Sequence, residues 1–269
     1  MTVIALAGVG VQVGGIPLWS DLDLQVAAGE LVAVLGPNGA GKSTLIRVLL
    51  GIHPFVDGTA TVLGVPPGGA NARIGYLPQR RSFDPSVRVR GIDLVRLGLD
   101  GTRWGTPLPS FLRRASRRAS ATDAVAEAIA TVGAQAYAHR PIGEISGGEQ
   151  QRLLIAQALV RKPDLFLLDE PLDSLDLPNQ QAVTRLLRQV CDEGTTVVIV
   201  AHDVNPILSA LDQVVYIAGR RALAGRPLEV ITTEHLSALY GTPIDILHTS
   251  DGRLVVVGQP EGHSFHGHT

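Results

Sequence analysis

The stretch Gly36-Pro37-Asn38-Gly39-Ala40-Gly41-Lys42-Ser43-Thr44 fits the pattern G-x-x-x-x-G-K-[ST], a loop that cradles phosphate groups. Ahead of it, Leu31-Val32-Ala33-Val34-Leu35 is a short apolar run that reads as a buried strand. Behind it, Leu45-Ile46-Arg47-Val48-Leu49-Leu50 is apolar-rich and free of Pro and Gly, which reads as a helix. The loop therefore sits between a strand and a helix, the context its chemistry needs. Gly36, Gly39 and Gly41 let the backbone turn tightly and approach phosphate oxygens with no Cβ in the way. Inward-pointing amides form an anion nest, and the following helix adds its positive N-terminal end. In such a loop Lys42 reaches the β- and γ-phosphates and the Ser43 hydroxyl ligates Mg²⁺.

The remaining chain is read outward from this loop. With 269 residues there is room for one large α/β domain carrying an inserted lobe. Hydrophobic residues make up 45% of it, enough for a well-buried core. A net charge of −2 argues against a nucleic-acid partner held by bulk charge. The single cysteine, Cys191, excludes an internal disulfide and a thiolate metal site, reads as an ordinary helix residue, and fits a cytosolic location. No apolar run approaches the roughly 18–20 residues that span a bilayer. The N-terminus has neither the basic segment nor the cleavage site of a signal peptide.

Val3–Leu6, Val9–Val13 and Leu22–Val26 read as strands of an antiparallel sheet, with Gly14-Gly15 as a hairpin turn. A further strand covers residues 56–65, and Ile74–Pro78 is a strand that runs into a loop at Gln79. Residues 80–145 change character and read as a mostly helical lobe, with helices over Val89–Gly98 and Ala121–Val132. A Gly/Pro-punctuated loop with Trp104 lies between them, and the basic run Arg113–Arg118 reads as a solvated helix start. Ser146-Gly147-Gly148-Glu149 opens an apolar helix and makes a second anion site of the same physical kind as the first.

Leu165–Leu168 then forms an apolar strand tipped by Asp169 and Glu170. Two adjacent acids at the end of a buried run are costly unless a metal or substrate needs them. Asp169 is the expected second Mg²⁺ holder, and Glu170 lies where a water could attack a γ-phosphate. Ser174-Leu175-Asp176 follows in a turn, and Leu186–Val190 lies in an amphipathic helix. The buried strand Thr195–Ala201 delivers His202 at its tip, a position suited to a phosphate sensor. Val214–Gly225 reads as a closing hairpin, residues 228–240 as a helix, and Ile244–Leu247 and Arg253–Val257 as short strands. The tail with His263, His266 and His268 has the composition of a disordered segment.

The order of these motifs resembles the ATP-binding subunit of ABC transporters, over nearly the whole chain to about residue 240. Gly36–Thr44 matches the Walker A motif, Gln79 the Q-loop glutamine, Ile145–Glu149 the signature motif and Leu165–Asp169 the Walker B strand. Glu170 matches the catalytic glutamate, Ser174–Asp176 the D-loop and His202 the switch histidine. The resemblance implies an α/β fold: a P-loop NTPase (RecA-like) core, an antiparallel β subdomain and an inserted α-helical subdomain at about 88–160. It divides the chain into an ATPase domain, 1–240, and a C-terminal extension, 241–269.

The implied cofactors are ATP and Mg²⁺. Glu170, His202 and Gln79 would be catalytic, and Ser43, Gln79 and Asp169 would serve the metal. The nucleotide would be held by Gly36, Pro37, Asn38, Gly39, Ala40, Gly41, Lys42, Ser43 and Thr44, with Ser146, Gly147, Gly148, Glu149 and Asp176. The implied partners are a second copy in a head-to-tail pair, whose Ser146, Gly147 and Gly148 act in trans, and integral membrane permease subunits. An extracytoplasmic metal-binding protein would take part indirectly, and the chain would lie at the cytoplasmic face of the cell membrane. The lobe surface near residues 80–110 is the implied docking groove.

Two departures stand out. Ile145 and Glu149 replace the Leu and Gln that usually end the signature, and Val13 stands where the family stacks an aromatic ring on adenine. Trp19, nearby in sequence, is expected to face elsewhere. Tyr76–Val87, Asp93–Val95 and Arg140–Glu144 resemble subunits for zinc and manganese import. The rival class is a soluble ABC ATPase acting on DNA or the ribosome. The first needs a long coiled coil, and the roughly 100 residues between loop and signature carry no sustained heptads. The second needs two cassettes, and this chain has one. A kinase-like P-loop enzyme would not need Ser146-Gly147-Gly148.

Overall fold

A computed structural model describes residues 1–79, 83–100, 115–248 and 254–257, with backbone alone at 100, 115–120, 248 and 255–257. The readings made for Trp104, for Arg113 and Arg114, and for the tail histidines lie outside the described residues. The chain opens with a long hairpin, β1 (Thr2–Val13) and β2 (Ile16–Ala27). Gly14 and Gly15 take φ of 58° and 80°, so both turn residues need the left-handed region that glycine enters freely. The two short strands read at the N-terminus are one strand. An irregularity between Leu6 and Val9 absorbs the glycine: Gly8 sits at φ 59° and its N–H donates to Asp23 Oδ1 at 2.8 Å.

β3 (Leu31–Leu35) leads through the glycine loop into α1 (Lys42–Leu49). β4 (Asp57–Val62) and β5 (Ile74–Leu77) follow. Next come α2 (Gly91–Asp100), α3 (Ala115–Thr131) and α4 (Gly147–Leu159). β6 (Leu165–Asp169), α5 (Leu177–Asp192), β7 (Thr196–Val200), β8 (Gln213–Ala218) and β9 (Arg221–Gly225) complete the main body. The helix expected over 228–240 is two pieces, α6 (Pro227–Val230) and α7 (Thr233–Tyr240). Thr232 breaks them apart, because its hydroxyl accepts from His235 N–H and so caps a new helix. β10 (Asp245–His248) and β11 (Leu254–Val257) pair antiparallel.

Nine strands form one sheet in the order β4-β1-β2-β9-β8-β3-β7-β6-β5. The strands from β8 through β3, β7 and β6 to β5 run parallel, while β4, β1 and β2 pair antiparallel. All five residues of β3, of β6 and of β7 are buried, as parallel strands covered on both faces must be. Alternation sends Val32 and Val34 to one core with Leu45, Ile46 and Trp19. Leu31, Ala33 and Leu35 go to the other, with residues of α2, α3, α4 and α5. The three helices α2, α3 and α4 also pack on one another. Two glycines let α2 come close: a Cβ on Gly98 would lie 2.1 Å from the Gln157 carbonyl oxygen, and one on Gly91 would strike Leu153.

Candidate phosphate and cation site at the carboxyl ends of the parallel strands

The site gathers where β3, β6 and β7 end. This is the edge at which open parallel sheets bind ligands. β3 stops at Gly36, whose φ of 138° no side-chain-bearing residue adopts readily. Gly41 caps α1 from φ 97°, so the first turn of that helix points its unpaired amides into the loop. Pro37 and Ala40 are half-buried, while Asn38 and Gly39 are exposed at the crest. The Lys42 side chain folds back and donates to the carbonyl oxygens of Gly36 at 2.9 Å and Pro37 at 3.0 Å. It thus spans the anion nest as an internal cation. Burial pushes its pKa down, partly offset by the charges of Glu170, Asp169 and Asp173. Thr44, one residue past Ser43, is buried.

Ser43 Oγ donates to Asp169 Oδ1 at 2.9 Å, so the hydroxyl from α1 and the carboxylate from β6 meet across the sheet edge. Asp169 is 6% exposed, and burial raises its pKa against the pull of Ser43, Arg47 and Lys42. Two hard oxygen donors at one point suit Mg²⁺, which takes one or two protein oxygens alongside substrate phosphates. Glu170 follows at φ 54°, a left-handed conformation that costs energy in a non-glycine residue and turns its side chain toward β7. Its Oε1 lies 2.8 Å from His202 Nε2, and its Oε2 accepts from Gln79 Nε2. Burial raises the Glu170 pKa, with His202 opposing the shift.

Five residues expected at the site therefore join in two clusters: Ser43 with Asp169, and Gln79, Glu170 and His202 together. The Ser146 group stands apart. Ser146 caps α4 and forms a closed box with Glu149: its N–H and hydroxyl both donate to Glu149 Oε2, at 2.8 and 2.9 Å, while its Oγ accepts from Glu149 N–H. The substitution of Glu for Gln at 149 thus keeps the cap. Gly147 has open space around its Cα, whereas a Cβ on Gly148 would lie 2.8 Å from the Asn179 side chain. Asp176 caps α5, its Oδ1 accepting from Asn179 N–H at 2.9 Å.

Two residues escaped the sequence reading. Asp173 places Oδ2 4.0 Å from His202 Nε2, and its carboxylate, Glu170 and His202 offer three ligand atoms within 4.8 Å of one another. Its only signal was a third acid just past Asp169-Glu170. Trp19 is fully buried and lies under the loop, with Nε1 donating to the Gly41 carbonyl at 3.4 Å. From the sequence it is expected to face elsewhere than the adenine, with no target named for it. Val13 is 48% exposed and pairs across the hairpin end with Ile16, also exposed, so the first hairpin ends in an apolar tip.

Known proteins agree with this geometry. The family described as ABC transporter matches residues 19–173. The manganese transport system ATP-binding protein MntB of Bacillus subtilis is 36% identical over 86% of this chain and 89% of its own length. The zinc import ATP-binding protein ZnuC of Cereibacter sphaeroides is 38% identical, over 90% of this chain and 89% of its own. Among solved structures, a metal-chelate type ABC transporter in an inward-facing conformation superimposes with a TM-score of 0.78 at 26% identity, covering 96% of this chain and 99% of that one. A strand–loop–helix phosphate cradle with acids and a histidine on the neighbouring strands, in a chain this close to ATP-binding transport subunits, makes the protein a member of the ABC transporter family and an ATP-hydrolysing subunit.

Proposed function

We propose that this subunit powers the import of a divalent metal ion, zinc or manganese, through a separate membrane permease, working at the cytoplasmic face as a head-to-tail pair. The observation that carries the ATPase chemistry is the Glu170 carboxylate held between Gln79 and His202, beside the Ser43–Asp169 pair. The relatives named for manganese transport and zinc import support the cargo. A metal chelate is the second reading, favoured by the solved transporter of that type. No helix among the described residues is long and apolar enough to cross a membrane, so the reading assigns the translocation path to other chains.

The loop residues Gly36 to Thr44 bind and orient the triphosphate, with Lys42 exchanging its carbonyl partners for β- and γ-phosphate oxygens. Ser43 and Asp169 would hold Mg²⁺, with Gln79 reaching it from the loop after β5. Bound there, the ion supplies charge neutralisation on the phosphate oxygens. Glu170 accepts a hydrogen bond from the attacking water, and the raised affinity of its carboxylate for protons suits a base. His202 orients that carboxylate and contacts the γ-phosphate. Ser146, Gly147 and Gly148 present α4's N-terminal end to the nucleotide of the second copy, which is why the chain carries two anion sites that one nucleotide could not use in one monomer.

The deciding experiment is Glu170→Gln. The amide keeps the shape and loses the base, so ATP binding is expected to persist and turnover to vanish. Hydrolysis near the parent rate would refute the assignment. Cargo is tested by recovering the tagged protein from solubilised membranes of its source and measuring ATPase activity with zinc or manganese and a soluble binding protein. Recovery of a multi-span membrane partner with metal-raised activity supports import, and recovery of ribosomal or DNA-bound partners alone overturns it.

A further inference from the structure

The segment that carries His202 is tied to the C-terminal end of the chain. Asp203 Oδ1 accepts from both the backbone N–H of Asn205, at 2.9 Å, and its side-chain Nδ2, at 2.7 Å. The other side-chain atom of Asn205, Oδ1, accepts from the backbone N–H of Leu254 at 2.8 Å. Leu254 opens β11, and its residue pairs across the hairpin with His248. Beneath this link, Val204 and Ile207 share one buried cluster with Ile244 and Leu254. A second tie, from Thr184 Oγ1 to the Pro206 carbonyl at 3.2 Å, fixes the same segment to α5.

The C-terminal unit that bears β11 is itself anchored on the sheet. The hydroxyls of Tyr216 in β8 and Tyr240 in α7 meet at 3.1 Å, with their rings edge to face. The backbone of Gly219 lies so near α7 that a Cβ there would sit 1.9 Å from the Leu239 carbonyl oxygen. Ser237 Oγ exchanges hydrogen bonds with both the N–H and the carbonyl of Ile244, which joins α7 to the start of β10. A continuous path of packed and bonded groups thus runs from β8 through α7 and the β10–β11 hairpin back to the loop after His202.

We propose that Asn205 is a positioning residue for hydrolysis, and that the β10–β11 hairpin acts through it as a strut holding the His202 segment against Glu170. The inference rests on the reading of His202 given above. A polar side chain that bonds one way to its own loop and the other way to a distant strand restricts the loop at both ends. The His202 side chain is 36% exposed, and its 2.8 Å approach to Glu170 depends on where the backbone places it. The strut stands outside the phosphate loop. Its loss should therefore change the rate of the chemical step and leave ATP binding alone.

The test uses the full chain with Asn205→Ala, Leu254→Pro and the pair combined, beside His202→Ala. Leu254→Pro removes the N–H from the hairpin side at the first residue of a strand, a place that tolerates proline; it also trims a buried side chain, so amide exchange of residues 245–247 checks that the strands still pair. Leu254→Pro is expected to lower kcat about fivefold, the size of one lost net hydrogen bond, and Asn205→Ala, which also loses the bond to Asp203, at least as much, with KM for ATP held within about twofold. The double variant should lose little more than Asn205→Ala alone, because Leu254→Pro then cuts a link already gone. Amide exchange of residues 202–205 and of Ile207 should speed in all three wherever an N–H remains. Parental kcat in either single variant, a rise in KM with kcat unchanged, or multiplying losses in the double variant would each overturn the strut. If His202→Ala kept parental turnover, the role of His202 and the strut would fall together. A dead His202→Ala beside an unaffected Asn205→Ala would sink the strut alone.

Discussion

Replacing one glycine of the phosphate loop by alanine tests the loop's geometry more sharply than replacing its lysine. At Gly36 the added Cβ would lie 2.0 Å from the Ile217 carbonyl oxygen in β8, at φ 138°. Such contacts do not come below 3.0 Å, so the ends of β3 and β8 must part by about 1 Å. Backbone strain costs about 1–3 kcal/mol and overpacking about as much again, so the total is about 4 kcal/mol. At Gly39, φ is 78° and no atom lies within 4 Å of the added Cβ. Gly39→Ala therefore carries only the left-handed penalty, about 1–2 kcal/mol. A chain of this length loses about 2–4 °C in Tm per kcal/mol. In nucleotide-free calorimetry, Gly36→Ala is expected to melt about 8–16 °C below the parent and Gly39→Ala about 2–8 °C below it. If the two melted within about 2 °C of each other, the close approach of β8 to the loop would be wrong.

Further predictions concern charge and reactivity. The raised pKa of Asp169 means that the folded state prefers it protonated, so that contribution is full below the ordinary aspartate pKa, about 4, and is lost as pH rises through the raised folded value. Without metal and nucleotide, Asp169→Asn should therefore be more stable than the parent at pH 7, with the gain shrinking toward pH 4. Melting curves in a chelating buffer measure the difference, and a gap that ignored pH would refute the burial argument. Cys191 is 2% exposed, its Sγ lies 3.7 Å from the Glu30 carbonyl, and burial pushes its pKa up to about 12. A disulfide reagent at pH 8 should label it only after denaturant is added, and rapid labelling of the native protein would contradict its packing.

The sequence by itself settled the phosphate loop, the acid-tipped strand and the strand ending in His202. Each is a local pattern: glycines where the backbone must turn, unbroken apolar runs where a strand is covered on both faces, polar residues at the tips. It read Ser146–Glu149 as a helix start, and the structure adds that Ser146 and Glu149 satisfy each other's amides there. Local patterns fail where residues distant in sequence compete. Residues 228–240 read as one helix, yet Ile231 leaves helical geometry and the Thr232 hydroxyl's bond to His235 N–H starts α7 anew. The partners of Trp19 and Asp173 were not legible along the chain, because they lie in what each side chain faces: the Gly41 carbonyl across 22 residues, and the Glu170–His202 pair. The pairing of Asn205 with Leu254 spans 49 residues and exists only once α7 has brought the hairpin back over the sheet. Hydrophobic period and glycine position are written along the chain. Which carbonyl or amide a polar side chain finally meets is decided by how the two faces of the sheet are covered, since a buried polar group must take whatever partner packing delivers.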